Sequence, residues 1–314
     1  MTKNGNLSTD CYKGVRDFYP EDMATQNYIF GVWKKVAEKF GYVEYGASIL
    51  EPTELYEAKS GDEIVGEQTY NFTDRGDRRV TLRPEMTPTL ARMVAARRKS
   101  LKFPLRWFSI PNLFRYERPQ RGRRREHWQL NCDLLGMAGL EAEVEIISLA
   151  HAIMKEFGAT ESDFVIKIGS RNILTDELVK HGVTDEESQR KITRLIDKKG
   201  KMEEEKRTEE LRKLGMDFEI AESEDMTKLK KLLKEKNVLN TEFDPNIARG
   251  FDYYTGMVFE VFDTHPDNNR SLFGGGRYDN LLEIFGEEPV PAVGFGMGDI
   301  TIRDFLETHK LPLK

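Results

Sequence analysis

Six arginines fall within the eleven residues Arg115-Tyr116-Glu117-Arg118-Pro119-Gln120-Arg121-Gly122-Arg123-Arg124-Arg125. A guanidinium is a planar fork of donors that can hold two phosphate oxygens at once, so this segment suits a phosphorylated ligand. Strand-like residues flank it on both sides, predicting an antiparallel hairpin with a basic, mobile tip. A charged tip is ordinarily just a solvated turn. Arg115, however, lies on the strand itself beside Phe114 and Tyr116, where solvation alone gives it no reason to be.

Three other segments carry potential chemistry. In Thr81-Leu82-Arg83-Pro84-Glu85-Met86-Thr87, Glu85 and Thr87 stand at a strand–helix junction where they could grip an ammonium group. A first-turn acid favoured by the helix dipole is the plainer reading of Glu85. Arg249-Gly250-Phe251-Asp252-Tyr253-Tyr254-Thr255-Gly256 precedes a predicted strand, and Gly274-Gly275-Gly276-Arg277-Tyr278-Asp279 reads as a Gly-rich turn. Consecutive glycines permit positive φ and let backbone press against a ligand, although a tight turn alone would also use them. No Lys-Ser/Thr follows them, which excludes a Walker loop. Gly294-Phe295-Gly296-Met297-Gly298 lacks the dinucleotide-binding spacing.

The elements that must position these residues follow from periodicity. Ile29, Val32, Trp33, Val36, Ala37 and Phe40 recur at helical spacing, predicting a helix over 21–40 ended by Gly41. Residues 42–50 read as a strand stopped by Glu51-Pro52, and further strands are predicted at 69–72, 79–82, 105–110, 112–117, 125–136 and 257–262. Helices are predicted near 88–99, with Thr87 as N-cap and Pro88 first, over 140–157 and over 299–309. Between about 176 and 240 the chain is dense in Lys and Glu, with short helical patterns at 186–197, 202–214 and 226–236. Neighbouring strands with few intervening helices favour an α+β fold, an antiparallel sheet flanked by helices, over a doubly wound parallel sheet. The expected division is a catalytic domain in two parts, 1–169 and 244–314, interrupted by a helical insertion subdomain at 170–243.

The composition narrows the function classes. Hydrophobic residues are 39% and charged residues 32% of the 314, which is a globular profile well away from disorder. No apolar run approaches the roughly 18 residues of a membrane span, and the first residues lack the apolar stretch of a signal peptide. Cys11 and Cys132 are too few for a disulfide framework and read as reduced thiols of a cytoplasmic protein. A net charge of −6 argues against indiscriminate nucleic-acid binding while leaving room for the local basic patch.

Taken in order, these segments resemble the histidyl-tRNA synthetase family nearly end to end. Lys13-Gly14-Val15-Arg16-Asp17-Phe18-Tyr19-Pro20 is similar to the family's opening, and Ile49-Leu50-Glu51-Pro52-Thr53-Glu54-Leu55 to motif 1 of class II aminoacyl-tRNA synthetases. The hairpin from Arg115 to Gln129 resembles motif 2, while Arg249–Tyr254 and Gly274–Asp279 resemble the two histidine-specific signatures. The resemblance implies a six- or seven-stranded antiparallel catalytic domain, a homodimer, and a histidine-tRNA ligase that uses ATP with Mg²⁺ to charge tRNA(His). It places Glu85, Thr87 and Gln129 on the ammonium of L-histidine and Asp133 and Tyr254 on its imidazole. Tyr253 and the Gly274–Gly276 backbone, Gly275 included, would close that pocket. Arg115 and Arg249 would be the catalytic pair at the ATP α-phosphate. Glu117, Arg123 and His127 complete the ATP site, and Gln120 and Arg121 would meet the tRNA acceptor end.

The chain departs from the pattern at two positions. His127 stands where the family uses Phe to stack on adenine, and Thr301 stands where motif 3 ends in Arg. Arg303, two residues on, would face the other way on a helix and does not inherit the role. The family also carries an anticodon-binding domain of about 100 residues after this point, so 1–314 reads as the catalytic core. A regulatory subunit of ATP phosphoribosyltransferase shares the fold and is the competing expectation; the retained arginines and the full-length insertion favour the ligase.

Overall fold

The computed structural model describes residues 7–58, 68–197, 202–216, 218, 220–247, 253–268 and 270–313. In the main sheet, six strands run antiparallel in the order β5 (Leu105–Ser109), β7 (Glu126–Leu135), β12 (Ala292–Gly298), β11 (Ser271–Arg277), β10 (Met257–Asp263) and β8 (Phe164–Ser170). Short strands β1 (Val43–Glu44) and β9 (Thr241–Phe243) add in parallel at the two edges, and β6 (Asn112–Phe114) pairs with the start of β7. The expected antiparallel arrangement therefore holds for the centre, while the edges make the whole sheet mixed.

Alternation along β7 sets the two faces. Leu130, Cys132 and Leu134 are fully buried against a core built by α1 (Pro20–Lys39), α4 (Leu140–Glu156), α8 (Glu224–Glu235) and α9 (Asp299–Thr308). Because successive side chains alternate, His127, Gln129, Asn131 and Asp133 share the opposite face. Part of that face is covered by α3 (Thr87–Arg97), with Leu90, Ala91 and Val94 buried against Tyr253, Tyr254 and Tyr278.

Three predicted elements are corrected. Residues 42–50 are not one strand: β1 is only Val43–Glu44, and β2 (Leu50–Pro52) begins only at Leu50 and ends on the proline, where α2 (Thr53–Glu57) follows. Pro52 is tolerated because β2 is an edge, paired only to β4 (Arg79–Leu82), which in turn pairs with β3 (Tyr70–Thr73). The N-cap of α3 is Met86, not Thr87, so Thr87 opens the helix with Pro88 second. Gly274–Gly276 form no turn; they are the middle of β11, and none of them has positive φ.

Between β8 and β9, α5 (Arg171–Lys180), α6 (Glu186–Asp197) and α7 (Glu204–Lys213) bury Leu174, Leu178, Ile192, Ile196 and Leu211 in a separate small core. Helix α8 instead sends Met226, Leu229 and Leu233 into the main core.

Candidate active site

Two adjoining cavities open on the polar face of the sheet. The inner one is lined by Glu85, Thr87, Gln129, Asn131, Asp133, Tyr253, Tyr254, Gly274 and Tyr278, and the outer one by Glu117, Arg123, Arg124, His127, Lys167, Glu260, Arg270 and Thr301, among others. Arg115, Gln129 and Gly296 line both, so these three residues mark the junction.

Glycines make the inner cavity possible. On β12, Gly294 is paired with Asp133 and Gly296 with Asn131. A Cβ on Gly294 would overlap the Asp133 carboxylate and lie 3.0 Å from the Tyr278 hydroxyl; one on Gly296 would overlap the Gln129 amide. A Cβ on Gly276 would come within 2.9 Å of the Tyr254 ring. Gly275 is different: it is paired with Phe295 and its missing side chain would enter the backbone of Gly294, on the core side. Gly274, not Gly275, lines the cavity. The glycines are there for close approach, and none of these positions needs a left-handed backbone. Gly294→Ala should accordingly displace Asp133 and raise KM for the inner ligand at least tenfold, with the KM for the outer ligand changed much less; steady-state kinetics against each substrate would show the split.

The inner cavity holds two buried carboxylates in contrasting surroundings. Glu85, 3% exposed, accepts a hydrogen bond from the Tyr253 hydroxyl at 3.2 Å. Asp133, 4% exposed, accepts one from the Tyr278 hydroxyl, and burial raises its carboxyl to about 7 against the opposing effect of that hydrogen bond. Tyr253 packs on Tyr254 and edge-on to Tyr278 with ring centroids 4.9 and 5.8 Å away, fixing the aromatic wall. Two acids, three phenols and two amides suit a small polar cation with further hydrogen-bonding groups.

Around the outer cavity the basic hairpin makes several tertiary contacts. Arg115 N donates to the Arg125 carbonyl at 2.9 Å, and Gln120 and Arg123 exchange backbone hydrogen bonds around Arg121-Gly122. Arg121 pairs with Asp304 on α9 at 3.0 Å, and Arg123 with Glu117 at 3.4 Å. Arg125 lies over the Tyr116 ring at 3.9 Å and donates from its backbone to Gly14, strapping the N-terminal segment onto the hairpin. Arg115 Nε donates to the Pro84 carbonyl at 2.9 Å, which aims the side chain across the junction.

His127 is half-buried, and burial, with Arg115 and Arg16 nearby, lowers its imidazole to about 3. The ring is therefore neutral at ordinary pH and available for stacking. Thr301 donates to the Leu272 carbonyl at 2.7 Å, and Arg303 is turned away to Asp22 and Glu307. Arg249 lies outside the described residues, as do Gly250, Phe251 and Asp252 of its signature. Among the described residues, no three His, Cys, Asp or Glu side chains converge as metal ligands, and no helix is long and apolar enough to cross a membrane.

Every other sequence-predicted histidine and ATP residue except Gly275 reaches one of the two cavities. Sequence reasoning missed Tyr278, Asn131, Lys167, Glu260 and Arg270. Period-two alternation from Gln129 to Asp133 would have found Asn131; the others depend on strand pairing that no local pattern reveals.

A central antiparallel sheet, an arginine-bearing hairpin on its polar face and an adjoining small-ligand pocket define the class II aminoacyl-tRNA synthetase catalytic fold. A family profile described as histidyl-tRNA synthetase matches residues 14–212 and 179–299. The histidine–tRNA ligase of Leptospira biflexa is 45% identical over 98% of this chain and 76% of its own length, and that of Thermoplasma volcanium 39% identical over 94% and 74%. The chain belongs to the histidyl-tRNA synthetase family. Histidyl-tRNA synthetase from Nostoc sp. PCC 7120 shares the fold with a TM-score of 0.81 at 21% identity, covering 98% of this chain and 78% of that one. A Bacillus halodurans protein described as ATP phosphoribosyltransferase regulatory subunit/histidyl-tRNA synthetase gives 0.78 at 26% identity over 96% and 84%.

Proposed function

We propose that this protein is a histidine–tRNA ligase, joining L-histidine and ATP into histidyl-adenylate and diphosphate and then passing the histidyl group to the 3′ end of tRNA(His). The observation that carries this reading is the junction: one arginine, Arg115, lines both the inner pocket with its buried carboxylates and the phosphate-suited cavity.

In this reading Glu85, Thr87 and Gln129 hold the ammonium group, and Asp133 with Tyr254 holds the imidazole. The substrate carboxylate then points to the junction and attacks the α-phosphate in line. Negative charge grows on that phosphate as diphosphate leaves, and a fixed cation there stabilises the transition state more than the ground state. Arg249 is assigned the second cation. His127 stacks on adenine, while Glu117 and Arg123 shape the rest of the nucleotide site. Mg²⁺ carried by ATP would supply charge neutralisation at its outer phosphates. Gln120 and Arg121 are assigned to the acceptor end; Arg121 would exchange its pairing with Asp304 for a phosphate. The separately packed helices α5 to α7 suit a clasp on the stem.

A homodimer is supported by the small sheet of β2, β3 and β4. Its buried face carries Glu51 and Thr81, whereas Leu50, Pro52 and Phe72 on the other face are exposed. A polar-in, apolar-out sheet calls for a partner surface.

Histidine-dependent ATP–diphosphate exchange tests the reading. Exchange with histidine and not with other amino acids is the expected result. Histidine binding by calorimetry without any exchange would instead favour a regulatory subunit, for which a cation at the junction has no use.

A further inference from the structure

We propose that Arg270, in the connection between β10 and β11, binds the outer phosphates of ATP. The inference deepens the ligase reading and rests on it.

Arg270 lines the outer cavity on the wall facing the hairpin tip. Its Nη1 donates to the Arg121 carbonyl at 2.7 Å. A Cβ on Gly122 would lie 3.0 Å from that nitrogen and 3.8 Å from Thr301 Cγ2, so the guanidinium and the Thr301 side chain converge on the same spot over the tip. Thr301 cannot serve an anion there, because its hydroxyl donates to the Leu272 carbonyl. Its small size leaves space, and Arg270 reaches into that space from a different part of the chain. The next cation on α9, Arg303, is held by Asp22 and Glu307.

Electrostatics separate Arg270 from its neighbours. Arg121 is paired with Asp304 and Arg123 with Glu117, whereas among the described residues no carboxylate lies within ion-pair distance of Arg270. One of the five N–H donors of its guanidinium is engaged with the Arg121 carbonyl. An exposed guanidinium fork at a cavity rim, with donors to spare and no acidic partner, is suited to phosphate oxygens.

Its place along the cavity selects which phosphates. Arg115, Gln129 and Gly296 mark the junction with the inner pocket, where the α-phosphate must lie for reaction. Arg270 stands over the hairpin tip, away from that junction, and His127 on β7 is assigned the base. The outer phosphates are what remains to extend toward the tip.

The test compares ATP with AMP by calorimetry on the wild type, Arg270→Ala and Arg270→Lys. Arg270→Ala should weaken ATP about tenfold, the scale of a charge-assisted hydrogen bond, and leave AMP within about twofold. Arg270→Lys, which keeps the charge without the fork, should fall between. In diphosphate exchange, KM for ATP should rise in parallel while KM for histidine stays level. Equal weakening of AMP and ATP would mean that Arg270 only anchors the hairpin through Arg121, and unchanged ATP affinity would mean that it has no nucleotide role; either result overturns the proposal. A wild type that binds ATP but shows no exchange would sink the ligase reading and leave the ATP–AMP comparison to decide Arg270.

Discussion

Arg115→Ala should lower histidine-dependent diphosphate exchange by roughly 10²–10³, the usual loss when one preorganised group facing developing charge is removed. The effect should fall on kcat more than on KM for either substrate, because the interaction strengthens only as charge accumulates on the α-phosphate. Arg115 is held for this by its Nε bond to the Pro84 carbonyl, in the same turn that carries Glu85. The residue assigned to the phosphate and the residue assigned to the ammonium are thus positioned by one backbone segment. Arg115→Lys should recover little, since a point charge cannot keep that backbone bond and span two phosphate oxygens together. Arg249→Ala is expected to produce a loss of the same order. Single-turnover formation of adenylate, measured with saturating histidine and ATP, is the decisive assay; a normal rate for Arg115→Ala would remove the junction from the mechanism.

Asp133→Asn should trade activity for stability. Its carboxylate is the acceptor assigned to the imidazole, and loss of a charge-assisted hydrogen bond, about 1.5–3 kcal/mol, predicts a roughly 10- to 150-fold rise in KM for histidine. The unliganded protein should behave in the opposite sense. Burial raises the carboxyl from 3.8 to about 7, so the folded state disfavours its ionisation. The stability linked to this group is full below about pH 4, where the carboxyl is protonated in both folded and unfolded chains, and is lost as pH rises through about 7. The amide removes that loss and can still accept from Tyr278. Without ligand, Asp133→Asn should therefore melt higher than the wild type at pH 8 and equally at pH 4. Thermal melts across that range, paired with histidine kinetics, check both halves; equal melting at pH 8 would show that the carboxylate is solvated or paired in the free protein.

Much of the architecture was legible because it rests on local periodicity. The helix patterns at 21–40, 140–157 and 186–197 match α1, α4 and α6 to within about a residue at each end, since their apolar stripes are long and regular. The hairpin was legible as well, from a Pro-Gly-Arg loop between two strand-like runs. Strands β8, β11 and β12 were not identified. Two of these are rich in glycine, which carries no side-chain pattern and ordinarily signals a turn. Pro52 does close the strand it was expected to close, and the error lay in joining Val43–Glu44 to Leu50 across residues 45–49.

The amino-acid sequence by itself determined the family, the antiparallel centre of the sheet and part of the cavity lining, because short ordered motifs and side-chain periodicity survive without knowledge of contacts. Tertiary structure alone decided which glycines clear space for Asp133 and Gln129, that Tyr278 caps Asp133, and that the hairpin tip is docked on α9. It also decided that His127 is neutral and that Arg270 fills the space beside Thr301. Each of these depends on the register of strands far apart in the chain or on burial from solvent. Those are properties of the assembled sheet, which no local stretch of residues encodes.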